Sequence, residues 1–388
     1  MIPRFRPWLD WEELSTLFSR NKGCVEKFEK EFASKFQAAE AVAFPYGRSA
    51  QWAFFKTIGL ENAEVIMPAY TCSVVAHAVI LSGNVPRFID IDLADFNMNL
   101  DLVEEAIDER TRVIIATHTF GYPQDIHRLE TIVKDAENKY GHKVWLMQDC
   151  CHAFGAEWKG KMVGTSGDVA VYAFNVSKII TSVFGGMLTF QDKGIAEKVR
   201  RWRDRNFQTP KWSKTWKRRI YLLAFYFAFH PRLYGITYWL KTKTPVLRSL
   251  TDAYHLDDKI HFPPDANERM NDMEAAVGLR QLKKYDRIVE NRRKNALFYQ
   301  ENLERRNGWV FPPIRLGATY SHYVVRVPER EKTIKHYASI GQEIGKLIQY
   351  CIPDMRSYYD GKKYPNASRT SRETINFTVT KENINTLI

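Results

Sequence analysis

The chain has 388 residues, enough to bury a large core, and its 45% apolar and 26% charged residues give the balance of a globular protein rather than a disordered or fibrous one. It carries 57 Lys+Arg against 45 Asp+Glu, a net charge of +12, which favours anionic substrates, nucleic acid or an acidic membrane surface. Five cysteines, two of them adjacent, make a poor disulfide framework, and no CxxC or Cys/His spacing supports zinc, so no metal site is expected. The opening MIPRFRPWLDWEEL lacks the apolar core of a secretory signal, and a reducing, cytoplasmic compartment is the expected location.

In chain order, Cys24–Ala39 has the pattern of a mixed-charge packing helix. Phe44-Pro45-Tyr46-Gly47 forms a turn, and Ser49–Ile58 a second helix. A helix start offers unpaired backbone N–H groups to an anion, so Gly47, Arg48 and Ser49 are either a phosphate-binding turn or an ordinary Gly-Ser helix start. Short apolar runs at Glu64–Tyr70, Val85–Ile91, Arg112–Thr119, Val144–Asp149 and Val169–Phe174 alternate with helical patterns such as Leu102–Asp108 and Asp125–Tyr140. That alternation predicts an open, mostly parallel sheet covered by helices, with ligands beyond the carboxyl ends of its strands. Tyr70, Thr119 and Asp149 fall at such ends.

Trp145–Phe190 is the stretch with most chemistry. A strand ends on Asp149, a glycine-containing loop leads to a second strand, and Ser177-Lys178 follow it, before Gly185-Gly186 open another strand. An amine for a Schiff base and a carboxylate to hold a pyridine nitrogen protonated are what pyridoxal phosphate needs. The pair alone does not decide this, since strand ends carry acids and lysines in many proteins.

The surroundings decide more. The stretch resembles the core of the DegT/DnrJ-type sugar aminotransferases, matching the acidic strand end, the small pair Cys150-Cys151, His152, the spaced glycines, the lysine and GGxxxT. Gly47-Arg48-Ser49-Ala50, Met67–Thr71, Asn267-Glu268-Arg269-Met270 with Glu274–Leu279, and Pro365-Asn366-Ala367 extend the resemblance over roughly residues 20–205 and 262–388. It implies a fold-type-I enzyme: a large domain built on a mostly parallel seven-stranded sheet, and a small C-terminal α/β domain. Residues 1–208 are then the cofactor-binding domain, 209–262 an insertion, and 263–388 a dimer-contact helix with the small domain.

The resemblance further implies that Lys178 forms the Schiff base with pyridoxal 5'-phosphate and shuttles the substrate proton. By the same token Asp149 holds the pyridinium, Cys151 packs on a ring face and His152 bonds the phenolic oxygen. Tyr70, Ser177 and the turn at Gly47, Arg48 and Ser49 complete the cofactor contacts. Asn267 reaches the phosphate of the partner subunit, implying a homodimer with shared sites, and His322 faces the substrate. For Cys151, His152 and His322 the residues themselves also allow a buried small residue, a core histidine and a surface-strand histidine, the spacing from Asp149 favouring the functional reading of His152. Two positions depart from the family pattern: Ala173 stands where a phosphate-binding serine is usual, and Cys72 where a ring-stacking aromatic often follows the strand. The expected reaction is transfer of an amino group, from glutamate by family analogy, to a nucleotide-linked or lipid-linked keto-sugar. The dehydratases on this scaffold replace the lysine with histidine, and Lys178 argues against that chemistry. A catalytically degenerate, membrane-associated scaffold or sensor is the alternative reading of the two departures.

Residues 209–262 lie outside the resemblance and hold ten Lys/Arg against three Asp. Ile220–Phe229 is apolar all round, His230-Pro231-Arg232 breaks it, and Leu233–Leu240 is a second apolar piece. Neither reaches the ~20 residues needed to span a bilayer. With tryptophans and basic residues at its flanks, 212–243 is either a hairpin lying on the inner face of the cell membrane or a helix pair buried against the body or a dimer partner. The basic cluster has no nucleic-acid-reading element, and its aromatics form one block, so no nucleic-acid partner is expected.

Overall fold

The computed structural model describes residues 1–19, 21–243 and 259–380. Seven strands form the central sheet: β1 (Glu40–Phe44), β2 (Glu64–Pro68), β3 (Val85–Ile89), β4 (Thr111–Thr117), β5 (Trp145–Asp149), β6 (Val169–Ala173) and β7 (Gly186–Phe190). Their order is β1-β7-β6-β5-β4-β2-β3. β3, β2, β4, β5 and β6 run parallel, whereas β7 is antiparallel to both β6 and β1. This is the mostly parallel seven-stranded sheet that the resemblance implied.

The strands are continuous apolar runs because both faces are covered. Alternate residues go to opposite faces, so Val65 and Met67 join one core while Ile66 joins another. The first core includes α3 (Gly47–Thr57), α4 (Ser73–Leu81) and α7 (Lys193–Asn206), through residues such as Phe54, Val79 and Val199. On the other face, α5 (Leu100–Ala106) and α6 (Ile126–Tyr140) cover the β3 side of the sheet. There α2 (Cys24–Lys35) and the long α10 (Asp272–Asn302) cover the β1 side with Phe28, Phe32 and Leu282.

The chain ends in a small α/β unit, in which β8 (Tyr323–Arg326) pairs antiparallel with β9 (Thr374–Phe377) beside α11 (Arg330–Ser339) and α12 (Pro365–Glu373). Its inward residues Tyr323, Val325, Ile375 and Phe377 belong to the same core as one face of the large sheet. The start of α12 is tied to the end of β3, with the N–H groups of Asn366 and Ala367 donating to Asp90 at 3.0 and 2.8 Å. The N-terminal residues also lie along this unit: Ile2 pairs with Gln342, and the Arg6 N–H donates to the Thr380 hydroxyl at 3.0 Å. Residues 2–6 thus pack on the C-terminal unit, although they precede the large sheet in the chain.

Between α7 and α10 stand α8 (Trp212–Ala228) and α9 (Tyr234–Lys243), separated at the His230-Pro231 break. The first helix starts well before the apolar run begins. Lys214, Arg218 and Leu222, spaced four apart, form its buried side.

Candidate active site

One pocket opens where β4, β5 and β6 end, at the carboxyl edge of the parallel strands, as expected of an open α/β sheet. Asp149 is the last residue of β5 and is buried there. One of its oxygens accepts the Cys151 N–H at 3.1 Å, and the other accepts the Thr117 hydroxyl from the end of β4 at 3.2 Å. The carboxylate is therefore fixed by two neighbours rather than by a cation. Its contacts leave it at the pocket wall.

Lys178 enters the same pocket from a turn that follows β6. Asn175 builds that turn. Its side-chain oxygen accepts both the Ser177 N–H at 3.1 Å and the Ser177 hydroxyl at 2.7 Å, while its carbonyl accepts the Lys178 N–H at 3.0 Å. Downstream, Val183 is held at φ 74, a left-handed conformation that is costly for a β-branched residue, with its N–H on the Thr181 hydroxyl. The segment between lysine and β7 is thus fixed by its own side chains.

Gly47 and Arg48 bring the start of α3 to the pocket. A Cβ on Gly47 would lie 2.9 Å from the Ala173 Cβ, and one on Gly186 would lie 2.4 Å from the Tyr46 carbonyl carbon. Glycine is required at both places by close approach. The Arg48 guanidinium donates to the His261 carbonyl at 3.3 Å.

Cys151 and His152 complete the wall around Asp149. Burial, and then the neighbouring Asp149, push the Cys151 thiol well above its usual range, so it remains a neutral packing surface. The His152 ring lies parallel to Phe120, centroids 6.0 Å apart, and its Nδ1 accepts the Phe120 N–H at 3.4 Å. In a neutral ring this leaves the proton on Nε2.

Four of the candidate site residues named from the sequence do not line this pocket. Tyr70 lies past the end of β2 and is fully buried, its hydroxyl donating to the Ile348 carbonyl at 3.2 Å and facing Thr374, while Thr71 and Cys72 line the pocket instead. The Ser49 hydroxyl is turned away, donating to the Ala266 carbonyl at 2.9 Å. Asn267 is exposed and lies outside this chain's own pocket. His322 is buried behind the wall, its centroid 6.1 Å from that of His152, and burial followed by the positive charge of Arg292 and Lys178 holds it well below the usual histidine range. At the β4 end it is Thr117, not Thr119, that meets Asp149.

Sequence reasoning did not single out Thr117, Gln51, Asn175, Phe184 or Tyr350, all of which line the pocket. Thr117 was within reach, lying inside the run Arg112–Thr119, although the strand itself ends on it, two residues before the end of that run. Tyr350 was not: it comes from the C-terminal unit, where its hydroxyl accepts the Ser73 N–H at 3.0 Å at the start of α4.

These residue types fit pyridoxal phosphate: an amine, a buried carboxylate, a neutral thiol, a histidine, and a glycine-tight helix start beside Ser177 and Arg48. Fold and pocket together define a fold-type-I enzyme of the pyridoxal-phosphate class. The chain belongs to the DegT/DnrJ/EryC1/StrS aminotransferase family, which matches residues 15–383, and is a pyridoxal-phosphate-dependent aminotransferase. It is 27% identical to the GDP-perosamine synthase of Escherichia coli O157:H7, over 78% of this chain and 71% of that protein. It is 26% identical to the spore coat polysaccharide biosynthesis protein SpsC of Bacillus subtilis, over 90% of this chain and 83% of the other. Among solved structures, the pyridoxal-phosphate form of the putative sugar aminotransferase Spr1654 from Streptococcus pneumoniae superimposes with a TM-score of 0.76 at 20% identity. That match covers 98% of this chain and 94% of the other, and it speaks to the fold.

Proposed function

We propose that this aminotransferase moves an amino group from glutamate to a keto-sugar carried on a nucleotide or a lipid, for cell-surface polysaccharide or glycolipid synthesis. The observation that carries the reading is the meeting of Lys178, from the turn after β6, and Asp149, at the end of β5, in one pocket with the start of α3. The relatives named as GDP-perosamine synthase and as a coat-polysaccharide protein support a sugar acceptor.

When bound, pyridoxal phosphate supplies an electron sink next to the substrate carbon. The chain's residues do the rest. Asp149, steadied by Thr117 and the Cys151 N–H, would keep the ring nitrogen protonated. Lys178 would hold the cofactor through its amine and would serve as the acid and base that moves the substrate proton. Cys151 would offer a neutral surface to the ring, and His152 would donate from Nε2 to the phenolic oxygen. Gly47, Arg48 and Ser177 would hold the phosphate in place of the serine replaced by Ala173. Two subunits share their sites, with Asn267 serving the partner, and the enzyme works as a peripheral protein at the inner face of the membrane.

The test is the absorbance spectrum of purified protein before and after L-glutamate. Wild type shows the visible band of lysine-bound cofactor, and glutamate converts it to the pyridoxamine form. Lys178→Ala binds cofactor without that conversion. Wild-type protein lacking any band after addition of pyridoxal phosphate would sink the reading.

A further inference from the structure

On α8, a row of apolar side chains points to solvent. Trp212, Trp216, Ile220, Leu223 and Phe227 are all exposed, Trp212 at 76% and Ile220 at 62% of their full surface. At helical spacing they share one sector of about 80°. The opposite side holds Lys214 and Arg218, which are buried against the body. Lys214 Nζ donates to the carbonyls of Glu268 and Arg269 at 2.8 and 2.9 Å. Arg218 pairs with Glu274 and Asp265, each at 2.6 Å. An ordinary surface helix turns its apolar stripe inward; this one is inverted, and its charged side is satisfied by the body.

α9 adds exposed apolar side chains of its own, Ile236 at 60% and Trp239 at 57% exposure, beside Leu233 and Leu240. Along the two helices themselves the charge has one sign. No aspartate or glutamate occurs between residues 209 and 243. Lys217 and Arg219 fall on either side of the α8 stripe, Arg219 lying 5.4 Å from the centre of the Trp216 ring, and Arg232 and Lys243 are exposed at the two ends of α9. Among the described residues, no helix is long and apolar enough to cross a membrane.

We propose that α8 and α9 form a monotopic docking surface for an anionic lipid bilayer, the stripe entering the acyl boundary and the basic rim meeting the headgroups. The charge selects this occupant over a second copy of the chain. An isologous contact would set the cationic rim against itself, whereas anionic lipid complements it. The surface is also wired to the active site. The Arg218 guanidinium donates to the Tyr46 hydroxyl at 2.9 Å and lies 4.3 Å from the Phe184 ring centre, and Tyr46 and Phe184 both line the pocket. Docking therefore holds the pocket close to the lipid surface, where a lipid-tethered acceptor is within reach.

The experiment is flotation of the full-length holoenzyme with vesicles of equal phosphatidylglycerol and phosphatidylcholine, and with phosphatidylcholine alone. Wild type floats with the anionic vesicles and is released by high salt. The triple variant Ile220→Ser, Leu223→Ser, Phe227→Ser loses at least about tenfold in partitioning, and Lys217→Gln, Arg219→Gln, Arg232→Gln, Lys243→Gln abolishes the preference for anionic lipid. Quenching of wild-type tryptophan fluorescence by brominated lipid reads insertion without any variant. The proposal is overturned by wild type staying soluble and unquenched, by a triple variant that floats like wild type, or by one that elutes as a smaller oligomer, which would make the stripe a subunit contact. The cofactor band is read in the same samples, so failure of docking and failure of the aminotransferase reading are separate results.

Discussion

Thr117 and the Cys151 amide are the two groups that fix Asp149, and this makes the threonine a sensitive point. Hydrogen bonds to charged groups contribute roughly 1.5–3 kcal/mol. Thr117→Val is expected to weaken pyridoxal phosphate binding about tenfold or more, read by titrating apoprotein in the visible band. His118, the next residue, is a pH sensor of stability rather than of catalysis. Its Nδ1 accepts the Gln124 N–H at 3.0 Å and its Nε2 meets the Gln148 side-chain oxygen at 2.9 Å. Burial lowers it from 6.5 to about 4. The unfolded chain then binds the proton first, so stability is lost as pH falls from about 6.5 towards 4, by roughly 3 kcal/mol in all. Denaturant midpoints across that window should fall with pH in wild type, and more gently in His118→Asn.

At the scale of elements, the critical joint is the one between α8 and α10. Glu274 caps α10 with Asn271, whose side chain accepts the Glu274 N–H at 2.8 Å, and also receives Arg218. Both side chains are nearly inaccessible, 5% for Arg218 and 0% for Glu274. Removing the arginine leaves a buried carboxylate without its cation, a loss of about 3–5 kcal/mol. Arg218→Met should lower the melting temperature sharply, and adding Glu274→Gln should recover part of it. A double variant no better than the single one would show that the pair is not the joint.

The whole molecule raises the question of where Asn267 acts. It is exposed and stands apart from its own chain's pocket, while the neighbouring backbone braces the start of α3 through the Ala266 carbonyl on Ser49. If sites are shared, Lys178→Ala and Asn267→Asp are inactive or impaired alone, and a mixture of the two recovers activity through dimers with one intact site. Mixing that recovers nothing, with exchange of subunits verified, would assign Asn267 to its own chain.

Much of the sheet was legible because its strands are buried on both faces. Val65–Met67, Val113–Ile115 and Leu146–Met147 therefore form unbroken apolar runs that sequence alone exposes. Strand β1 was not legible: EAVAF directly follows the helical pattern of Cys24–Ala39, and only pairing with β7, far along the chain, makes it extended. Residue type and spacing drew Lys178 and Asp149 out as a candidate pair, and the resemblance of the surrounding motifs to a known family supplied the chemistry they would serve. Which neighbours share the pocket was decided by tertiary structure. A shift of one residue past a strand end turns Tyr70 into the core and Thr71 and Cys72 into the site, and Tyr350 arrives from the C-terminal unit. Likewise the sequence of α8 shows an apolar and basic helix, but which side faces inward depends on the acids and carbonyls of residues 265–274 that draw Lys214 and Arg218 to the body. Composition determines what a side chain can do; only the fold determines what it meets.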